Sequence, residues 1–187
     1  MPPRPIGAPL LHRGREVAGE GFALETTNEI TIAAPPEIVF ALAADTERWP
    51  TILLHYRRVR RLRGDDRAKV VEMAAWRDFG LFRYPVRWTA EQVNLPEQLR
   101  IRFKHVRGIS RGMDVEWRLT ATPGGTHVVI WHEFHSNLPL VGEFFARRIV
   151  GQLFVANIAG KTLRRIKQLA ERQVRRSASA VRQPETE

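Results

Sequence analysis

Cysteine is absent from the 187 residues. The chain can therefore build no disulfide, thiolate nucleophile or iron–sulfur cluster. Long apolar runs are missing too: none approaches the roughly 18 residues that a membrane-spanning helix needs. The opening stretch has no basic region followed by a sustained apolar segment, so a cleaved secretion signal is not expected. These absences point to a cytoplasmic protein, with peripheral contact at a membrane as the variant to consider. Metal-ligand spacing is lacking as well. His127, His132 and His135 match no recognised set, and His132-Glu133-Phe134-His135 is not the zinc-protease pattern. The glycines at 108, 112, 124 and 125 lack a following Lys–Ser/Thr and helix, which removes a phosphate-cradling loop. Neither a metal nor a cofactor is expected.

What is present suffices for a core. Apolar residues make up 43% of the chain, and the length suits one compact domain rather than two. The formal charge is +10, from 30 Lys and Arg against 20 Asp and Glu. Five arginines fall within His55–Arg63, and half of the surplus lies in the last 27 residues. Residues 1–22, rich in Pro, Gly and Arg, read as a flexible leader. Residues 23–170 read as the folded domain, and 171–187 as a basic helix end and disordered tail.

Periodicity gives the order of elements. A strand at 27–34 leads into Pro35-Pro36-Glu37, a helix-start signal, and a second short helix follows through Trp49. Asp45 and Glu47 read as helix caps rather than catalytic carboxylates. Extended segments follow at 54–63, 68–78, 83–94, 98–107, 112–122 and 126–136, separated by short Gly/Pro/Asp turns, as in consecutive antiparallel hairpins. Alternation places Met73, Tyr84, Trp88, Phe103, His105, Trp117, His132 and Phe134 on the apolar face. Trp76 falls on the outer register, where opposite charges on neighbouring strands can sit side by side. Apolar residues spaced by three and four from Pro139 to Arg176 make a long amphipathic helix. The fold class is α+β: a curved antiparallel sheet of about seven strands covered by a long carboxy-terminal helix, with two short helices after the first strand.

Three segments resemble one family. They are Ile30-Thr31-Ile32-Ala33-Ala34-Pro35-Pro36-Glu37-Ile38-Val39-Phe40, then Asp45-Thr46-Glu47-Arg48-Trp49-Pro50, then Gly125-Thr126-His127-Val128-Val129-Ile130-Trp131. With the long last helix they resemble the helix-grip fold of the START and birch-pollen-allergen superfamily, nearest to its polyketide cyclase/aromatase and coenzyme Q-binding branches. The resemblance covers about residues 26–170. It implies a cavity between sheet and helix that takes a hydrophobic small molecule: a polyketide, another aromatic, or a lipid or quinone. Its wall would include Tyr56, Met73, Tyr84, Trp88, Phe103, Trp117, Phe134, Phe145, Ile149, Leu153 and Asn157.

The aromatase branch implies aldol cyclisation and dehydration of a poly-β-ketone. Arg77 would stabilise an enolate or carbonyl oxygen, and His105 and His132 would exchange protons near pH 7. The competing readings are a rim ion pair for Arg77 and hydrogen-bonded core histidines. The alternative function is a non-catalytic lipid or quinone carrier that docks on anionic membranes through Arg164, Arg165, Lys167, Arg172, Arg175 and Arg176. Nucleic acid is the disfavoured partner, because the basic residues of the sheet alternate with acids and no recognition motif is present. Both a monomer and a homodimer are compatible with the sequence.

Overall fold

The computed structural model describes residues 10–11, 16–17, 21–79, 82–108, 110–136 and 156–181, with side chains for 25–76, 85–108, 110–134 and 158–180. The seven long strands are β3 (Gly21–Ile32), β4 (Tyr56–Gly64), β5 (Ala68–Phe79), β6 (Phe82–Leu95), β7 (Arg100–Gly108), β8 (Met113–Thr122) and β9 (Gly125–Ser136). Two short strands, β1 (Leu10–Leu11) and β2 (Glu16–Val17), pair with β3. All pairings are antiparallel, and the order across the sheet is β1-β3-β9-β8-β7-β6-β5-β4. The hairpins β4 to β9 form by short turns, while β3 joins the last strand.

Between β3 and β4 lie α1 (Pro36–Ala44), a 3-10 turn at Thr46–Arg48 and α2 (Trp49–Ile52). Pro36 fits the first turn of α1, where no backbone N–H partner is needed, and Glu37 lies beside the positive end of the helix dipole. Val39 and Ala43 turn inward and are sealed. The closing helix, α3 (Ala156–Val181), buries Leu163, Ile166 and Ala170 against the sheet. Lys167 Nζ donates to the Thr31 carbonyl at 2.6 Å, and Glu171 Oε1 accepts from the Ala33 N–H at 3.1 Å, fastening α3 to the end of β3. Arg165 donates to the Ile52 carbonyl at 3.0 Å. Two cations of the basic helix face are thus directed at the protein.

The alternation expected from the sequence holds through Val71 to Ala75, Val86 to Ala90, Ile101 to Phe103, Met113 to Leu119 and Val128 to Ile130. The differences are local. The chain reaches β7 through a 3-10 turn at Pro96–Gln98, and Leu99 takes a left-handed turn conformation (φ 54°) before the strand begins at Arg100. The β6–β7 pairing shifts register between Thr89 and Ala90, placing Val106 outside the regular ladder just after His105. Two further shifts occur in β4–β5. Such bulges bend and twist a sheet, which suits one curved around a helix.

On the outer face, Glu116 accepts from Arg100 and from Arg118 at 3.0 Å, and lies 3.4 Å from Arg102. Partial burial raises its carboxyl, but the arginines outweigh that and hold it below the usual carboxylate range. Arg57 lies over the Trp76 ring, 4.5 Å from its centroid, also on the outer side.

Asp45 and Glu47 do not cap. No side-chain cap hydrogen bond forms at Asp45. Glu47 is instead the anion for Lys69, a 2.5 Å pair in which the lysine side chain is 3% exposed, and for Arg61, also at 2.5 Å. Beside them, the buried Gln92 accepts from Thr46 at 2.7 Å and donates to the Ala44 carbonyl at 2.7 Å and to Asn94 at 2.9 Å. This polar cluster clamps the α1–α2 turn to β5 and β6.

Candidate functional site

Between the concave face of the sheet and α3 lies a cavity of about 90 Å³. Strand residues Met73, Phe103, Val115 and Ile130 form its apolar floor, while Ile158, Ala159 and Thr162 of α3 form its roof. The rest of the wall is aromatic. Trp49 packs edge-on against Tyr56, with ring centroids 4.9 Å apart, and lies 6.1 Å from both Phe103 and Trp117. Tyr56 continues to Trp88 at 6.0 Å, and Trp88 stacks on His105 at 5.9 Å with a 30° interplanar angle. Flat, polarisable walls of this kind favour flat apolar guests. The volume is below the ~300–1,000 Å³ usual for drug-sized ligands. A large guest therefore requires side chains to move. A wider groove of about 440 Å³ lies on the outer face and includes Arg102, Lys104, Glu116 and Glu133 in its wall. Charged, hydrated walls make it the poorer site for an apolar molecule.

Polar groups enter the apolar cavity at three places. His105 Nδ1 lies 2.7 Å from the hydroxyl of Ser110, a residue only 5% exposed in the β7–β8 turn. That turn depends on Gly108 (φ 93°) and Gly112 (φ 88°). A Cβ at Gly108 would stand 2.3 Å from the Arg87 carbonyl oxygen and 2.7 Å from Trp88 Cα, so only glycine lets the turn close over β6. The second place is Thr162, whose hydroxyl lies 3.2 Å from His55 Nε2, with the His55 ring against Tyr56. The third is His132 on β9, between Val115 of β8 and Thr26 of β3 in the sheet register. Burial, and secondarily the nearby His105, push the His132 imidazole down to about 3. Burial thus favours the neutral form of this imidazole. A neutral imidazole can still donate and accept hydrogen bonds.

Residues 23–171 match the protein family described as polyketide cyclase / dehydrase and lipid transport. The chain belongs to this family. Two Streptomyces relatives carry the name "Putative polyketide cyclase". The one from Streptomyces cyaneus is 30% identical over 57% of this chain and 70% of its own length. The one from Streptomyces halstedii is 32% identical over 56% and 94%. Among solved structures, the Zhui aromatase/cyclase from Streptomyces sp. R1128 superposes with a TM-score of 0.70 at 21% identity, covering 81% of this chain and 96% of that one. A protein from Thermus thermophilus gives 0.64 at 25% identity, covering 77% and 94%. The ginseng major latex-like protein 151 gives 0.62 at 12% identity, covering 79% and 97%.

For this polyketide cyclase/dehydrase and lipid-transport family member, the residues expected from sequence distribute as follows. Tyr56, Met73, Trp88, Phe103, Trp117, His105 and His132 all line the cavity. Phe134 packs half-buried against the core, outside that lining. Arg77 and Tyr84 are paired across β5 and β6, but their side chains lie outside the described residues, as does that of Asn157. Phe145, Ile149 and Leu153 fall wholly outside them.

Residues that sequence reasoning did not nominate include Trp49, Ser110 and Thr162. Ser110 carried one overlooked signal: it sits between two glycines in a turn that starts three residues after an inward histidine. Among the described residues, no helix is long and apolar enough to cross a membrane.

Proposed function

We propose that the protein binds a flat hydrophobic molecule of polyketide or other aromatic type between sheet and α3, and acts on it as an aromatase/cyclase. The observation that supports this most is the aromatic wall running from Trp117 through Trp49, Tyr56 and Trp88 to His105, with the Ser110 hydroxyl fixing the imidazole where the wall ends. The relatives' names support the same reading.

In an aldol cyclisation, a base takes an α-proton and the enolate carbon bonds to a second carbonyl carbon. The alkoxide recovers a proton, and loss of one water completes the aromatic ring. No electrons enter or leave the substrate. In this proposal His105 moves the proton, Ser110 orients it, and Arg77 balances charge on the enolate oxygen.

The test uses a linear poly-β-ketone surrogate with wild type, His105→Gln and Arg77→Ala. Binding should survive in both variants while formation of the cyclised product falls by about 100-fold, the scale of general acid–base catalysis. Equal product rates in all three would leave a binding protein without this chemistry. Native mass spectrometry of gently purified protein shows independently whether a hydrophobic molecule co-purifies.

A further inference from the structure

Leu54 is the most exposed large apolar side chain among the described residues, at 87%. It stands at the corner of a tight turn between α2 and β4, closed by the Tyr56 N–H donating to the Leu53 carbonyl at 2.9 Å. Its neighbours are turned inward: Leu53 is sealed, and Tyr56 lines the cavity. The helix α3 lies alongside. Arg165 donates to the Ile52 carbonyl, and the Thr162 hydroxyl meets His55 Nε2, so contacts with α3 flank Leu54 on both sides in the chain. Neither of the two segments that meet here, residues 48–64 and 156–170, contains an Asp or Glu. Arg57, Arg58 and Arg164 within them are exposed. A bare leucine thus projects from a surface of uncompensated positive charge.

We propose that this turn docks on an anionic lipid bilayer, with Leu54 entering the acyl boundary and Arg58 and Arg164 lying among the headgroups. One apolar anchor or one basic patch binds a membrane only marginally, and the two together hold. The isolation of the leucine decides between partners. Leu62, the next exposed leucine, lies six residues beyond Tyr56 on β4, roughly 20 Å along the strand. Val93 belongs to the outer-face groove. A protein interface is built around an apolar core of several side chains, which Leu54 alone does not supply. Nucleic-acid phosphates reward the arginines but offer a leucine nothing. Lys167, expected at a membrane from the sequence, is instead taken by the Thr31 carbonyl and by Glu171 at 2.9 Å. Docking in this way sets the bilayer two residues from Tyr56, so the cavity lies next to lipid whatever chemistry follows inside it.

Because the chain has no cysteine, Leu54→Cys gives a unique attachment point for an environment-sensitive fluorophore. The labelled full-length protein is mixed with vesicles of phosphatidylcholine, alone or with phosphatidylserine added, at low and high salt. Emission should shift to the blue with the anionic vesicles at low salt, and the shift should shrink at high salt, which screens the arginines. The same label at Leu62→Cys should not shift. In co-sedimentation of unlabelled proteins, Leu54→Ser should weaken partitioning by about tenfold, the value of burying one leucine. The double variant Arg58→Ser/Arg164→Ser should weaken it by about tenfold or more. All three side chains are exposed, so each variant should keep the Tm of wild type.

Equal recovery on neutral and anionic vesicles, an unshifted label at Leu54, or undiminished partitioning of Leu54→Ser would overturn the docking surface. So would duplex DNA that displaces the protein from the vesicles, which would make the cations a nucleic-acid surface. None of these outcomes touches the aromatic cavity, whose ligand binding is measured on the protein free of lipid.

Discussion

Nδ1 of His105 and the hydroxyl of Ser110 lie 2.7 Å apart, just beyond the last pair that β7 makes with β8. The contact closes a tight return: the Gly112 N–H donates to the His105 carbonyl at 3.0 Å, and the Met113 N–H to the Ser110 carbonyl at 3.1 Å. The imidazole is thereby held from both its backbone and its ring.

Two substitutions separate the hydrogen bond from the turn. Ser110→Ala should cost about 1 kcal/mol, the net worth of one hydrogen bond, with the turn intact. Gly108→Ala should cost more, because its Cβ meets the backbone of Arg87 and Trp88 rather than a movable side chain. Equilibrium urea unfolding measures both. A Gly108→Ala protein no less stable than Ser110→Ala would contradict this account of the turn.

Acid should weaken the fold through His132. Its imidazole is held at about 3 in the folded protein against an ordinary 6.5. Between those values the unfolded chain binds a proton that the folded chain does not, so stability rises with pH in this window. The stabilising effect of neutrality is complete above about 6.5 and is lost progressively toward 3. Measured from about pH 7 to about pH 4, His132→Phe should lose less stability than wild type. Parallel curves would show that His132 is not the group responsible.

Glu47 and Lys69 should respond unequally to mutation. Glu47→Ala leaves the sealed Lys69 ammonium without its anion, with an expected cost of about 3 kcal/mol, the lower end for a broken buried pair because Glu47 keeps some contact with water. Lys69→Met removes the buried charge itself, and Glu47 retains Arg61. Its cost should be clearly smaller. Burial works to raise the Glu47 carboxyl, but hydrogen bonds from Lys69 and Arg61 prevail and lower it. This pair therefore also contributes stability that fades as the pH falls through the lowered value. Chemical unfolding of the two variants at neutral pH makes the comparison, and equal losses would refute it.

Filling the cavity should block binding without unfolding the protein. Ala159 faces the cavity from α3, and Ala159→Leu places added methyl groups in the free space. Toluene should no longer shift cavity resonances, while the Tm stays at or above that of wild type. Retained toluene binding would place the ligand elsewhere.

Period-two alternation made most of the site legible in the sequence. It assigned Met73, Trp88, Phe103, His105, Trp117 and His132 to one face, and the ladder pairs them there. Ser110 escaped because a polar residue in a glycine turn gives no burial signal of its own. Glu47 was misread because an acid next to a helix start looks like a cap. Its actual partner, Lys69, is a buried lysine that local sequence does not reveal.

The placement of β3 also has a consequence for how the molecule is made. Its partner β9 is synthesised last among the strands, and the Thr126 hydroxyl that binds the Ala34 carbonyl does so across 92 positions of chain. Hairpins from β4 to β9 can zip locally, but the first long strand must wait with its edge open until the others exist. Contacts this distant slow folding, and an unpaired edge invites association with other chains meanwhile. The pairing of β3 with β9, which carries the cavity residues Ile130 and His132, is then the last part of the sheet to form, so the cavity wall is complete only when the first long strand has docked.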